Sequence, residues 1–146
     1  MKKYLYLFIA VIVVLAYGYI QERNIIFPIF SSWTQSDDSV LQQAYNNRQS
    51  DLQVQGGGVV IKILPDDLEG SRHQRFVLRL SSGQTLIVAH NIDLAPRISR
   101  LNRGDKVEFY GEYEWNAKGG VIHWTHHDPS GRHVGGWLRH EGKTYK

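Results

Sequence analysis

Cysteine is missing from the 146-residue chain, which excludes a disulfide scaffold, a thiolate metal site and a lipid-modified cysteine. A thiol-free chain fits an exported protein and folds equally well in a reducing compartment, so the compartment must be read from other features. Strong charge of one sign is missing too. The formal net charge is +3, but Lys2 and Lys3 supply two of those charges and the rest of the chain is close to neutral. That balance disfavours a strongly basic nucleic-acid binder. The HExxH pair of zinc proteases, the phosphate-cradling glycine loops and the serine nucleophile elbow are all absent, and there is no internal repeat.

A long apolar run is present, at one end of the chain. Tyr4 to Ile20, YLYLFIAVIVVLAYGYI, carries no charged side chain and follows Lys2-Lys3. As a helix it spans ~26 Å, enough for a thin hydrocarbon core and near the lower limit of about 17 residues. Two readings fit it. Ala16-Tyr17-Gly18 offers small residues for signal cleavage. Tyr17 and Tyr19 as interfacial aromatics, with IIFPIF at Ile25 to Phe30 continuing along the bilayer surface, describe an uncleaved anchor held in the membrane through residues 4–20. Either way the lysines stay inside, and the remainder is expected beyond the inner membrane, anchored there or released to the periplasm.

Three segments follow: residues 1–20 as anchor or signal peptide, 21–52 as a polar tether containing a short helix, and 53–146 as one small domain with a single core. In the tether, Val40, Leu41, Ala44 and Tyr45 share one side at helical spacing, and such a helix either packs on the domain's edge or stands free. Beyond it the pattern changes to a period of two. GGGVVIKIL, Gly56 to Leu64, is expected to place Val59, Ile61 and Ile63 on one face. HQRFVLRL, His73 to Leu80, turns Phe76, Leu78 and Leu80 inward and His73, Arg75 and Arg79 outward, and TLIVAHN, Thr85 to Asn91, returns across a tight hairpin. DLAPRISRL, Asp93 to Leu101, breaks the alternation and reads as a short helix. KVEFYGEYEWN, Lys106 to Asn116, aligns Val107, Phe109, Gly111, Tyr113 and Trp115 against Glu108, Glu112 and Glu114, with the mid-strand glycine marking a bend. GVIHWTH, Gly120 to His126, is the last long strand, and a terminal hairpin from Gly135 to Tyr145 is expected to cover one barrel mouth. The expected fold is therefore mostly β: a five-stranded, OB-like Greek-key barrel with one short helix between strands 3 and 4, preceded by an N-terminal membrane helix. A small open sandwich is the rival.

RHQRF, TLIVAHNIDLAPRI, GDKVEFYGEYEWN and GGVIHWTHHDPSGRHVGGWL together resemble a bacterial family of short exported proteins catalogued as domain of unknown function 3465. The resemblance runs from Asp38 to the end of the chain. It implies an exported location and an OB-like architecture, and carries no chemistry.

The chemistry must come from the residues. VIHWTHHDPSGRHVGG, Val121 to Gly136, holds four of the seven histidines. His126 or His127, with Asp128 and His133 brought back across an Asp-Pro-Ser-Gly turn, would give three imidazole and carboxylate ligands for zinc or another divalent transition metal with an open position. Asp128 serves equally as a turn cap, and the histidines as surface or hydrogen-bonded groups. An imidazole-carboxylate acid-base pair is a further option, with Glu112 or Glu114 contributing from the neighbouring strand. The binding face of an OB barrel, that of strands 2 and 3, would present His73, Arg75, Arg79, His90 and Asn91, with Trp124 as a stacking surface. Arg75 and Arg79 pairing with Glu112 and Glu114 as solvated charges is the plain alternative. Two functions are weighed: a non-catalytic ligand-binding module, or a metal-assisted hydrolase or nuclease built on the cluster at 123–133. Beyond a membrane the expected ligands are a peptide, a glycan, a cation or a protein, with nucleic acid possible but less favoured.

Overall fold

The computed structural model describes residues 35–146. The expected membrane segment at 4–20 and the apolar patch at 25–30 lie outside the described residues. Among those described, no helix is long and apolar enough to cross a membrane. The described residues form one compact unit that runs to Lys146. Helix α1 (Gln35–Asn46) is followed by β1 (Leu52–Ile63), β2 (His73–Arg79), β3 (Thr85–Asn91), β4 (Lys106–Glu114), β5 (Val121–His123), β6 (Trp137–His140) and β7 (Lys143–Tyr145).

The strands are joined in the order β1-β2-β3-β5-β4, and β4 pairs again with β1, which closes a five-stranded barrel. Closure depends on the length of β1. Its residues Leu52–Val59 pair with β4 and Val59–Ile63 with β2, so one strand serves two neighbours. The glycines at 56–58 sit where it turns between them, and a Cβ on Gly58 would lie 2.7 Å from the carbonyl oxygen of Arg79, too close for any side chain. β3 and β5 run parallel and every other pair is antiparallel.

The period-two pattern of β2, β3 and β4 is realised as written: Phe76, Leu78, Leu86, Val88, Val107, Phe109 and Tyr113 are all buried, each side chain contributing ~1.5–3 kcal/mol by leaving water. On β1 the phase differs from expectation. Val54, Gly56 and Val60 face the core in one continuous even phase, so Val59 and Ile61 are half-buried on the other face, and Ile63 is exposed beyond a bulge between Val60 and Lys62.

Helix α1 does not stand free. Leu41 and Ala44 are fully buried in the core, Tyr45 stacks on Trp115 at 6.5 Å, and the Trp115 indole donates to the Tyr45 carbonyl at 3.1 Å. Asp38 accepts from the Ser82 amide at 2.9 Å, tying the helix to the β2–β3 turn. Val40, expected on the same stripe, is exposed.

The helix expected between β3 and β4 is absent; residues 92–105 form a series of turns. Distant side chains take the backbone groups that a helix would have paired internally. Gln74 on β2 donates to the Ile98 carbonyl and accepts from the Ile98 amide, both at 2.9 Å, and the His90 ring meets the Pro96 carbonyl at 3.2 Å. Asp93 is claimed by Arg72, whose amide and side chain reach its two oxygens at 2.7 and 2.6 Å. Ile98, held in this way, is 1% exposed and packs in the core. The terminal hairpin β6–β7 extends the sheet along the edge of β4.

Candidate functional site

The site grows from a change of partner along β4. Val107–Tyr110 pair with β6, and Glu112–Glu114 pair with β5. Gly111 stands between the two stretches, where a Cβ would lie 2.5 Å from the carbonyl oxygen of His123. Glu112 and Glu114 point outward from this strand, directly across from His123 and Val121. The strand expected to reach His126 stops at His123, because Trp124 takes a left-handed backbone with φ of 51°. Such a conformation costs an ordinary residue roughly 1–2 kcal/mol and redirects the chain.

From Trp124 the backbone loops out and returns, closed by the Gly136 amide donating to the His126 carbonyl at 2.9 Å. Asp128 shapes the loop. Its Oδ1 accepts from the amide and hydroxyl of Ser130 at 2.9 and 2.8 Å, and its Oδ2 from the amides of Arg132 and His133, each at 2.8 Å. The Ser130 amide and hydroxyl, then the His133 amide, hold this carboxyl far below the usual carboxylate range. Asp128 is thus a turn anchor, and its work is to deliver His133.

His133 lies flat on the Trp124 indole, with ring centroids 4.0 Å apart and planes 8° from parallel. Its Nδ1 faces the Val134 carbonyl at 2.8 Å and its Nε2 faces Glu112 Oε2 at 2.7 Å. Both ring nitrogens therefore meet acceptors, the arrangement of an imidazolium. Burial opposes that charge, but the Glu112 and Val134 hydrogen bonds together with the Glu112 and Asp128 charges raise the His133 pKa above its ordinary value. The other oxygen of Glu112 lies 3.1 Å from His123 Nε2, and Glu114 Oε1 is 3.8 Å from the same nitrogen. That nitrogen is buried against the two carboxylates. Burial lowers the His123 pKa, with the two glutamates partly offsetting it.

A family model described as protein of unknown function (DUF3465) matches residues 25–146. The chain belongs to this family. No protein with a curated description matches it. The family match spans α1, the whole barrel and every site residue named above, and the family's description assigns no activity, so the chemistry rests on geometry.

Beside the Glu112 cluster, a shallow groove of about 260 Å³ runs over the outer face of β2, β3, β5 and β4, lined by Asp67, His73, Arg75, Ala89, Glu114, Val121 and His123. His73 and Arg75 therefore stand together with His123. Arg75 pairs with Asp67 at 3.7 Å and donates to the Pro65 carbonyl at 3.1 Å, so its partners come from the β1–β2 loop and not from the β4 glutamates. Arg79 is exposed at the far end of β2 and takes no part in the groove. His90 and Asn91 are buried. His90 is fully buried between Thr125 Oγ1 at 2.8 Å and the Pro96 carbonyl, and the Asn91 side chain accepts from the Asp93 amide at 2.9 Å. Trp124 serves as the platform for His133.

Of the four residues read as metal ligands, His126 is 4% exposed with Nδ1 on the His127 carbonyl at 2.8 Å, His127 is exposed, and Asp128 is occupied by its turn. Among the described residues, the donors that converge within 4.8 Å of one another belong to Glu112, Glu114 and His123. The signal for them was the outward alternation of glutamates on β4 beside a histidine on the next strand. What concealed it was the register, which sequence alone does not fix.

Proposed function

We propose that the chain is an exported, OB-like ligand-binding module without catalysis, whose binding surface is the β2–β3–β5–β4 outer face. The strand order β1-β2-β3-β5-β4-β1, with β3 and β5 parallel, supports the OB reading. The exported placement rests on Lys2-Lys3 and the apolar run that follows them. The single observation that carries the binding role is the groove itself, where an arginine, two histidines and a glutamate from β2, β5 and β4 converge on one outer face. Its volume is below the ~300–1,000 Å³ that encloses a drug-sized ligand, so it suits one residue of an extended peptide or one unit of a glycan. A second groove of about 310 Å³, beside α1 and lined by Gln42, Tyr45, Asn46, Gln84, Thr85, Lys118 and Gly119, has a single charged side chain and far less to recognise.

Amide-shift mapping by NMR with short peptides and glycan oligomers tests this reading. A ligand is expected to move the amides of His73, Arg75, Ala89 and His123, and Arg75→Ala is expected to weaken it by tenfold or more. Shifts confined to Gln84, Thr85 and Lys118, or no ligand that moves the first set, would reject it.

A further inference from the structure

We propose that Glu112, Glu114 and His123 form a binding site for a divalent transition-metal ion of the zinc type, with His133 as the residue that positions Glu112. The site deepens the reading above, because Glu114 and His123 also form one wall of the groove.

The geometry is that of ligands awaiting one ion. Zinc binds imidazole nitrogen and carboxylate oxygen at about 2.0–2.2 Å, so two donors at ordinary coordination angles stand roughly 3–3.5 Å apart. His123 Nε2 lies 3.1 Å from Glu112 Oε1 and 3.8 Å from Glu114 Oε1. All three residues are half-buried at the rim of the groove. His123 Nε2 is itself screened from solvent and faces both carboxylates, so the nitrogen and the two oxygens converge on one point. With the ring neutral and its proton on Nδ1, the Nε2 lone pair would face both carboxylates, an arrangement that a cation held between them relieves.

The surroundings match those of a held ligand. Glu112 has its second oxygen bonded by His133, His133 has its other nitrogen on the Val134 carbonyl, and its ring is clamped against Trp124. Chains of this kind fix the orientation of metal-binding side chains, and losing a member commonly costs 10–100-fold in affinity. One nitrogen and two oxygens, without sulfur, suit zinc, cobalt or manganese better than copper(I), and the imidazole argues against calcium and magnesium. The three donors leave further coordination positions for water or for a ligand in the groove.

The test uses the untagged full chain, stripped with chelator and titrated with zinc chloride alone in competition with a chromogenic chelator. Cobalt(II) absorption reports the ligand field. One zinc per chain is expected, weakened on the order of 100-fold or more by His123→Ala or Glu114→Gln and about 10–100-fold by His133→Gln, with His127→Ala unchanged. Far-ultraviolet circular dichroism checks folding, and the half-exposed Glu114→Gln decides the matter if His123→Ala fails to fold. Absence of stoichiometric zinc, or zinc lost with His127→Ala and retained in Glu114→Gln, overturns the proposal. No organic ligand enters this titration, so a groove that binds nothing and a site that binds no zinc are separate results.

Discussion

Gly120→Ala is expected to destabilise the domain by roughly 2–6 kcal/mol, a large part of the ~5–15 kcal/mol that holds a typical domain folded. Gly120 has a φ of 100°, a backbone that L side chains rarely adopt, and a Cβ there would sit 2.1 Å from Tyr113 Cε2 and 2.5 Å from its Oη. Tyr113 cannot move aside. It is fully buried, and its hydroxyl donates to the Gly119 carbonyl at 3.2 Å. Backbone strain of roughly 1–3 kcal/mol therefore adds to an overpacking cost of similar size. Gly142→Ala is the matched control: its φ of 75° is also left-handed, but nothing lies within 4 Å of the added carbon, so only the strain remains. Urea unfolding of both variants separates the terms. Equal losses would mean that Tyr113 does not pack against the β4–β5 turn.

Acid is expected to weaken the domain through His90. Its Nε2 faces a carbonyl and must carry the proton, which leaves Nδ1 to accept from the Thr125 hydroxyl. Both nitrogens are thus satisfied in the neutral ring. Burial, followed by weaker opposition from nearby histidines and partly offset by the Pro96 carbonyl, lowers its pKa from 6.5 to about 4. The unfolded chain takes up a proton near pH 6.5 that the folded chain refuses until about pH 4, so stability falls as pH drops through that window, by about 3 kcal/mol in all. His123, also shifted downward, adds to the loss with the same sign. His133 acts in the other direction: its raised pKa gives stability that is complete below pH 6.5 and is lost as pH rises through its folded value. Asp93 and Asp128 are depressed carboxyls, whose contributions persist until the ordinary carboxylate range near pH 3.8 is reached. Urea midpoints between pH 7 and pH 4 should therefore decline, and His90→Asn should flatten most of the slope. A level profile in the parent chain would contradict the buried neutral ring.

These effects also mark where the sequence was readable. Alternation on β2, β3 and β4 placed Phe76, Leu78, Phe109 and Tyr113 inside, and the outward glutamates of β4 were plain in KVEFYGEYEWN. Leu41 and Ala44 were legible as one side of a helix by their spacing, but not that this side is buried, and Val40 beside them is exposed. Residues 92–105 were not, since Gln74 and Arg72 reach them from more than twenty positions away and outbid the local helical preference. On β1, three consecutive β-branched residues from Val59 to Ile61 fit either phase, and the phase carried from Val54 and Gly56 turned Val60 inward. His90 and Arg75 lie on adjoining strands of one sheet, yet opposite faces made one a core residue and the other part of the groove. In the histidine segment, the left-handed turn at Trp124 sends the His133 ring to Glu112, while only its backbone amide meets Asp128.

The return of the 124–136 loop onto β4 is the contact on which the site stands, and a double-mutant cycle between Glu112→Gln and His133→Gln measures it directly. In chelator, to keep metal out of the comparison, unfolding by urea should give a coupling of about 1 kcal/mol, as for a partly buried hydrogen bond between charged groups. Arg139 and Glu108, joined at 3.1 Å with nearly half of each side chain in solvent, provide the reference pair, expected below about 0.5 kcal/mol. Strict additivity at Glu112 and His133 would place the histidine loop elsewhere and dissolve the site.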